Sequence, residues 1–127
     1  MSHPFAELIG LHIDEQRAGY SRLTLVAGKR HLNPHGVVHG AVAYALADTG
    51  MGVALYPTLA AGELCATIEI KINYFKAVRP GLLVCTTELV NRGKTVANLE
   101  ARVTVDDVVV ARANGNYAIF RPSRPGA

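Results

Sequence analysis

The sequence predicts a single α+β domain over residues 1–127, an antiparallel sheet wrapped around one long central helix. Three observations lead there. From Ala66 to Phe120 polar and apolar side chains alternate in runs parted by turn residues, which is the pattern of half-buried strands. The segment from Gly40 to Tyr56 is almost wholly apolar and rich in Ala, and it is the one stretch long enough to cover a sheet as a helix. With 127 residues, 50% of them hydrophobic, the chain can bury a core without help from metal or disulfide.

Each element has its own signal. Pro4 to Leu11 suits a short amphipathic helix with Phe5, Leu8 and Ile9 on one side and Pro in its first turn. Tyr20 to Ala27 alternates and reads as a strand. A loop of Asn, Pro, His and Gly then leads into the long helix, and Pro57 and Gly62 mark its exit. In Ala66 to Phe75, Ile68, Ile70, Ile72 and Tyr74 fall on one face and Thr67, Glu69, Lys71 and Asn73 on the other. Arg79-Pro80-Gly81 is a turn, Leu82 to Val90 a strand, and Asn91-Arg92-Gly93-Lys94 a hairpin connection. Thr95 to Val105 and Val108 to Phe120 are strands on either side of a turn at Asp106-Asp107, and residues 121–127 are expected to fray. The expected order is strand, helix, then four antiparallel strands.

Composition narrows the function. The net charge of +3 is mild, and no Lys/Arg block or basic strip with interleaved aromatics points to nucleic acid. The longest apolar stretch is interrupted by Asp48, Gly50 and Gly52, so no membrane span is expected. Neither a basic nor an apolar leader follows Met1-Ser2-His3-Pro4, and a soluble, cytoplasmic protein is expected. Cys65 and Cys85 sit in strand-like runs without CxxC spacing. They read as buried reduced thiols, with a disulfide or a metal pair as the alternatives.

Asp48 is the only formal charge between Gly40 and Tyr56. A carboxylate in a buried helix is costly unless it is paired or put to use. Gly40 opens the helix, where a first-turn N–H has no intrahelical partner and the helix dipole adds positive character. Such a donor can hold a developing oxyanion, and Gly40 and Ala41 are small enough for close approach. Asp48 lies eight residues further on, roughly 12 Å along the axis. One carbonyl cannot meet both groups of a single helix. If they share a site, two chains build it, and the sequence then implies a dimer with sites at its interface. The rival reading of Asp48 is a structural acid hydrogen-bonded to backbone.

The pattern Asn33, His39, Gly40 and Asp48 resembles the hotdog-fold acyl-CoA thioesterases, in particular the phenylacetate-pathway (PaaI-type) subfamily. The likeness extends through Leu32-Asn33-Pro34, Ile72-Asn73-Tyr74-Phe75, Pro80-Gly81 and Arg92-Gly93-Lys94-Thr95; Ala41 departs from it, standing where the family has a second Gly. The resemblance implies hydrolysis of an acyl-CoA to a free acid and coenzyme A. Asn33 and the Gly40 N–H would bind the thioester carbonyl, and Asp48 of the neighbouring subunit would act as general base or nucleophile. Thr67 would help orient water, although strict alternation turns it away from the helix unless it stands at a strand end on the subunit seam. His39 would brace the loop. Arg92, Lys94 and Thr95 are candidate contacts for the coenzyme A phosphates. Tyr44, Met51 and Leu55 are candidate acyl-pocket residues.

The same resemblance implies a homodimer with shared sites, assembling as a dimer of dimers, and no cofactor beyond the coenzyme A of the substrate. His31 and His35 read as solvated loop residues, and no metal is expected, because no carboxylate or Cys completes a set with them. The alternative from another class is a non-catalytic acyl-CoA-binding hotdog protein. A hotdog dehydratase is the weaker alternative, because the different spacing of His and acid in that branch has no counterpart in this sequence.

Overall fold

The computed structural model describes residues 2–123. Its elements are α1 (Pro4–Ile9), β1 (Leu11–Arg17), β2 (Tyr20–Ala27), α2 (Gly40–Leu55), β3 (Leu64–Tyr74), β4 (Gly81–Arg92), β5 (Val96–Val105) and β6 (Val108–Phe120). The six strands form one antiparallel sheet in the order β1-β2-β4-β5-β6-β3. α2 lies across its concave face, against β2, β4, β5 and β3.

The expected long helix and the strands from β2 onward are present, and one strand was missed. β1 exposes every side chain except Leu11, so it lacks the alternation that would reveal it. It is an edge strand held by main-chain bonds to β2 through a tight turn at Ala18-Gly19, where Gly19 has φ 82°. α1 is also shorter than expected. It turns its small Ala6 inward and leaves Phe5 and Leu8 exposed. Gly10, in the left-handed region at φ 77°, closes it. Of the tail expected to fray, Arg121 donates to the Ala61 carbonyl at 2.5 Å, and residues 124–127 lie outside those described.

The core forms where the inner faces of the strands meet α2. Val42, Ala43, Leu46, Ala47, Gly50, Met51, Ala54 and Leu55 recur at helical spacing and are buried. Opposite them β5 and β6 present mostly small groups, among them Ala97, Ala101, Ala111, Ala113 and Gly115, so the helix settles deep into the sheet. The approach is closest at two glycines. A Cβ on Gly115 would stand 2.5 Å from the Met51 sulfur, and one on Gly50 would stand 2.6 Å from the Thr87 hydroxyl. Gly50 also accepts a buried hydrogen bond from Ser21 at 2.7 Å through its carbonyl.

The helix is not covered all round in one chain, as its apolar sequence suggested. Ala41, Tyr44 and Tyr56 are exposed, with Asp48 and Gly52 half-buried between them. These positions form a stripe along the flank of α2 that runs beside β3 and is left partly open, with Tyr44 and Asp48 reaching the strands from it. β3, the other sheet edge, pairs only with β6 among the described strands. It is eleven residues long and exposes Leu64, Ile68 and Tyr74. A long edge strand with apolar side chains is a template for pairing with another chain.

Candidate active site

The loop before α2 is shaped by its own polar side chains. Asn33 Oδ1 accepts from the N–H groups of His35 (2.9 Å) and Val37 (3.3 Å), which closes the turn around Gly36. This fixes the amide so that Nδ2, its donor end, has no partner among the described residues. His39 is the N-cap of α2, its Nδ1 accepting from the Ala41 N–H at 2.9 Å. The Gly40 N–H stays without a partner among the described residues. The ring of Tyr74 closes over Gly40 and its hydroxyl donates to the Gly40 carbonyl at 2.7 Å. A Cβ on Gly40 would meet that ring at 3.2 Å, so any larger residue here would have to push the Tyr74 ring aside.

His31, expected to be solvated, is 6% exposed. Its Nδ1 accepts from the Gly28 N–H at 2.9 Å, which puts the ring proton on Nε2, 2.7 Å from the Ile9 carbonyl it donates to. Both nitrogens are engaged in tying the end of α1 to the loop. His35 is exposed, as expected.

Asp48 stands midway along α2. Its Oδ1 accepts from the Thr67 hydroxyl at 2.8 Å and from the Tyr117 hydroxyl. Tyr117 also reaches the Asp48 backbone carbonyl at 2.7 Å. The approach of Thr67 from within the same chain corrects the alternation argument. The register of β3 against β6 slips between Thr67 and Glu69, leaving Ile68 as an extra, exposed residue. A bulge of this kind reverses the facing of whatever precedes it. Thr67 therefore shares the helix side with Ile70 and Ile72, and no strand end is needed.

Tyr117 is the residue the sequence reading missed. Alternation in β6 already placed it inward with Ala111, Ala113, Gly115 and Ile119. A tyrosine among such small partners signals a hydroxyl that needs a buried acceptor. Burial, and then the neighbouring Asp48 carboxylate, push its phenol above the ordinary tyrosine value, so it is a neutral donor.

The remaining expected residues fall elsewhere. Met51 and Leu55 are fully buried against the sheet and are not among the residues that line the cavity beside Gly40, because they sit one turn apart on the inward side of α2. Tyr44 is on the open stripe and donates to the Ile70 carbonyl at 3.3 Å. Arg92 is engaged within the chain, reaching Glu63 at 2.9 Å, the Gly93 carbonyl at 2.7 Å and the Thr58 carbonyl at 3.3 Å. The backbone N–H of Ala60 and the Arg92 guanidinium together hold the Glu63 carboxyl below its usual range. Lys94 and Thr95 are exposed. Their hairpin is tied to Thr58, just past the C-terminal end of α2, whereas Gly40 opens the same helix roughly 22 Å earlier along its axis.

A cavity of about 320 Å³ opens beside Gly40. Val38, Ala43, Leu83, Val110 and Ala111 form its apolar floor, the segment Tyr74–Val78 forms one wall, and His39 and Lys76 contribute polar groups. Its size suits a small-molecule group. Gly40 and Asp48 lie on one unbroken helix, so within a chain the free N–H and the carboxylate remain roughly 12 Å apart.

The comparisons with known proteins bear on the family and the fold. Residues 35–113 match the family model described as Thioesterase superfamily. An Archaeoglobus fulgidus protein named provisionally as an esterase is 36% identical over 92 residues, 72% of this chain and 58% of that protein. The 1,4-dihydroxy-2-naphthoyl-CoA hydrolase of Listeria monocytogenes is 26% identical over 98 residues, 77% of this chain and 80% of that one. Among solved structures, a mutant of the phenylacetic acid degradation protein PaaI from Thermus thermophilus superposes with a TM-score of 0.86 at 25% identity, covering 94% of this chain and 100% of that one.

Proposed function

The chain belongs to the thioesterase superfamily and has its hotdog fold, and on that premise we propose that it hydrolyses an aryl- or medium-chain acyl-CoA to the free acid and coenzyme A. The observation that carries the reading is Asp48, an acid on the open side of α2 with one oxygen engaged by two hydroxyls and the other without a partner among the described residues.

In the proposed reaction the thioester carbonyl of the substrate accepts from the Gly40 N–H and Asn33 Nδ2 of one subunit. Asp48 of the neighbouring subunit takes a proton from water as the water oxygen bonds to the carbonyl carbon. The oxyanion is held by the two donors. Its collapse breaks the carbon–sulfur bond, and the departing thiolate takes up the proton, leaving acid and free thiol. No cofactor is needed. His39 holds the first turn of α2 through its cap.

The two-chain site follows from the axial distance between Gly40 and Asp48, and the open stripe on α2 and the free edge of β3 are the surfaces that suit a dimer. A dimer of dimers extends the same reading. The acyl group is assigned to the cavity beside Gly40, which is roughly twice the size of a cavity that holds one benzene ring. That volume accommodates a phenyl ring with a short linker or an unbranched chain. Lys94 and Thr95 of the hairpin remain candidates for the coenzyme A phosphates, while Arg92 is occupied.

The test is thiol release from a panel of aryl and aliphatic acyl-CoAs by the wild type and Asp48→Asn. Turnover that Asp48→Asn abolishes while coenzyme A binding survives supports the proposal. Equal turnover by the variant refutes the role of Asp48. Binding in a thermal-shift assay without thiol release from any substrate by the wild type favours a non-catalytic binder. Carrying a single turnover out in ¹⁸O-water separates base from nucleophile: as a base, Asp48 gives labelled acid at once, whereas an anhydride route leaves the first label in Asp48.

A further inference from the structure

Tyr117 is 3% exposed, and it is directly opposite Thr67 in the pairing of β6 with β3. The bulge at Ile68 puts both on the helix side, so two hydroxyls from adjacent strands converge on the same oxygen of Asp48. Each is a neutral donor. The single proton of the Tyr117 hydroxyl is shared between Oδ1 and the Asp48 backbone carbonyl, 2.7 Å away, so both of its acceptors belong to the residue it orients. A carboxylate free to rotate about its side-chain torsions presents two equivalent oxygens. Here they are made unequal.

We propose that Tyr117 is a positioning residue that, with Thr67, holds Asp48 in one rotamer through Oδ1 and leaves Oδ2 as the oxygen that takes the proton from water. The catalytic meaning of this arrangement rests on the function proposed above, whereas the arrangement itself can be tested without turnover. The titratable groups around this point are few. Tyr117 faces Asp48 and Cys65, and Cys65 is itself partly buried and neutral at physiological pH because burial raises its thiol. No cation contacts Asp48 among the described residues, and the two hydroxyls are the side-chain donors that meet its carboxylate.

The experiment replaces Tyr117 by Phe, which keeps the ring and removes the hydroxyl. Carboxylate ¹³C NMR, with Asp48→Asn to assign the signal, follows the titration of Asp48 in wild type and variant. Loss of a hydrogen bond to a carboxylate raises its titration midpoint, so an upward shift is the expected result. Where the wild type turns over acyl-CoA, the acid limb of its kcat/KM profile moves by the same amount, with KM for coenzyme A esters little changed. Thr67→Val gives a shift of the same sign. Should Tyr117→Phe fail to fold, a fluorinated tyrosine at position 117 supplies a more acidic phenol, a stronger donor, and the midpoint moves down. An Asp48 midpoint unmoved in the folded Phe variant, or moved up by the fluorinated residue, overturns the proposal. An NMR shift in a protein that releases no thiol from any acyl-CoA upholds the arrangement and counts against the function instead.

Discussion

Gly50 and Gly52 are two residues apart in α2, yet they should respond differently to the same substitution. A Cβ on Gly50 would stand 2.6 Å from Thr87 Oγ1 and 3.3 Å from Ser21 Oγ, whereas one on Gly52 would meet nothing within 4 Å. Both changes to Ala bring the same gain in helix propensity, about 1 kcal/mol, so the difference between the variants isolates the packing clash. Forcing a methyl into a filled interior costs about 1–3 kcal/mol. Gly50→Ala is expected to fall below Gly52→Ala by that amount. Urea unfolding followed by far-UV circular dichroism measures it, at one protein concentration because assembly adds to apparent stability. Thr87→Ala in the Gly50→Ala background removes the obstructing hydroxyl and should narrow the gap. Coincident midpoints for the two single variants, or no recovery with Thr87→Ala, would refute the claim that α2 rests on the sheet at Gly50.

Three further outcomes are expected. Chains carrying Asp48→Ala and chains carrying Asn33→Ala should each be inactive alone, while a refolded equimolar mixture regains about a quarter of wild-type thiol release, since half the dimers are mixed and each mixed dimer has one intact site; no recovery from mixtures shown to exchange subunits rules out shared sites. Ala43→Leu, which fills the cavity beside Gly40, should lower kcat/KM for phenylacetyl- or octanoyl-CoA by about tenfold or more and leave acetyl-CoA nearly unaffected; a uniform loss across chain lengths places the acyl group elsewhere. Stability should decline on the alkaline side. Burial pushes the Cys85 thiol from 9.0 up to about 12 and raises the Tyr117 phenol, so below pH 9 the folded and unfolded chains hold these protons equally. Above it the unfolded chain releases the Cys85 proton first, and stability falls by up to about 1.4 kcal/mol per pH unit per group. Urea midpoints measured from pH 7 to 11 test this, and Cys85→Ala should delay the onset.

The sheet-and-helix architecture was legible because β2, β4, β5 and β6 each have one face on the core, and period-two alternation is the direct imprint of a half-buried strand. Residue spacing on α2 likewise implied that Gly40 and Asp48 are too far apart for one chain to join them. β1 left no such imprint, because an edge strand with a single buried side chain is held by main-chain hydrogen bonds, which any sequence can make. The roles assigned to Met51 and Leu55 failed for a related reason. An apolar helix shows no polar face from which to tell the sheet side from the open side, and only docking onto the small residues of β5 and β6 set its rotation.

The candidate site divides along the same line. Asn33, His39, Gly40 and Asp48 lie within a single loop and helix, where a loop's polar residues, a cap and an anomalous charge are local features that sequence spacing records. Tyr117 and Thr67 come to Asp48 from strands that are 69 and 19 residues away along the chain. Their convergence depends on one extra residue, Ile68, in one strand, and a bulge is a property of how two strands pair rather than of either alone. The sequence by itself determined the acid, the helix that bears it and the axial distance that separates it from Gly40. Which oxygen of that acid is held, and by what, was decided by the tertiary structure, because non-local hydrogen bonds follow from strand register and helix rotation, which no single segment contains.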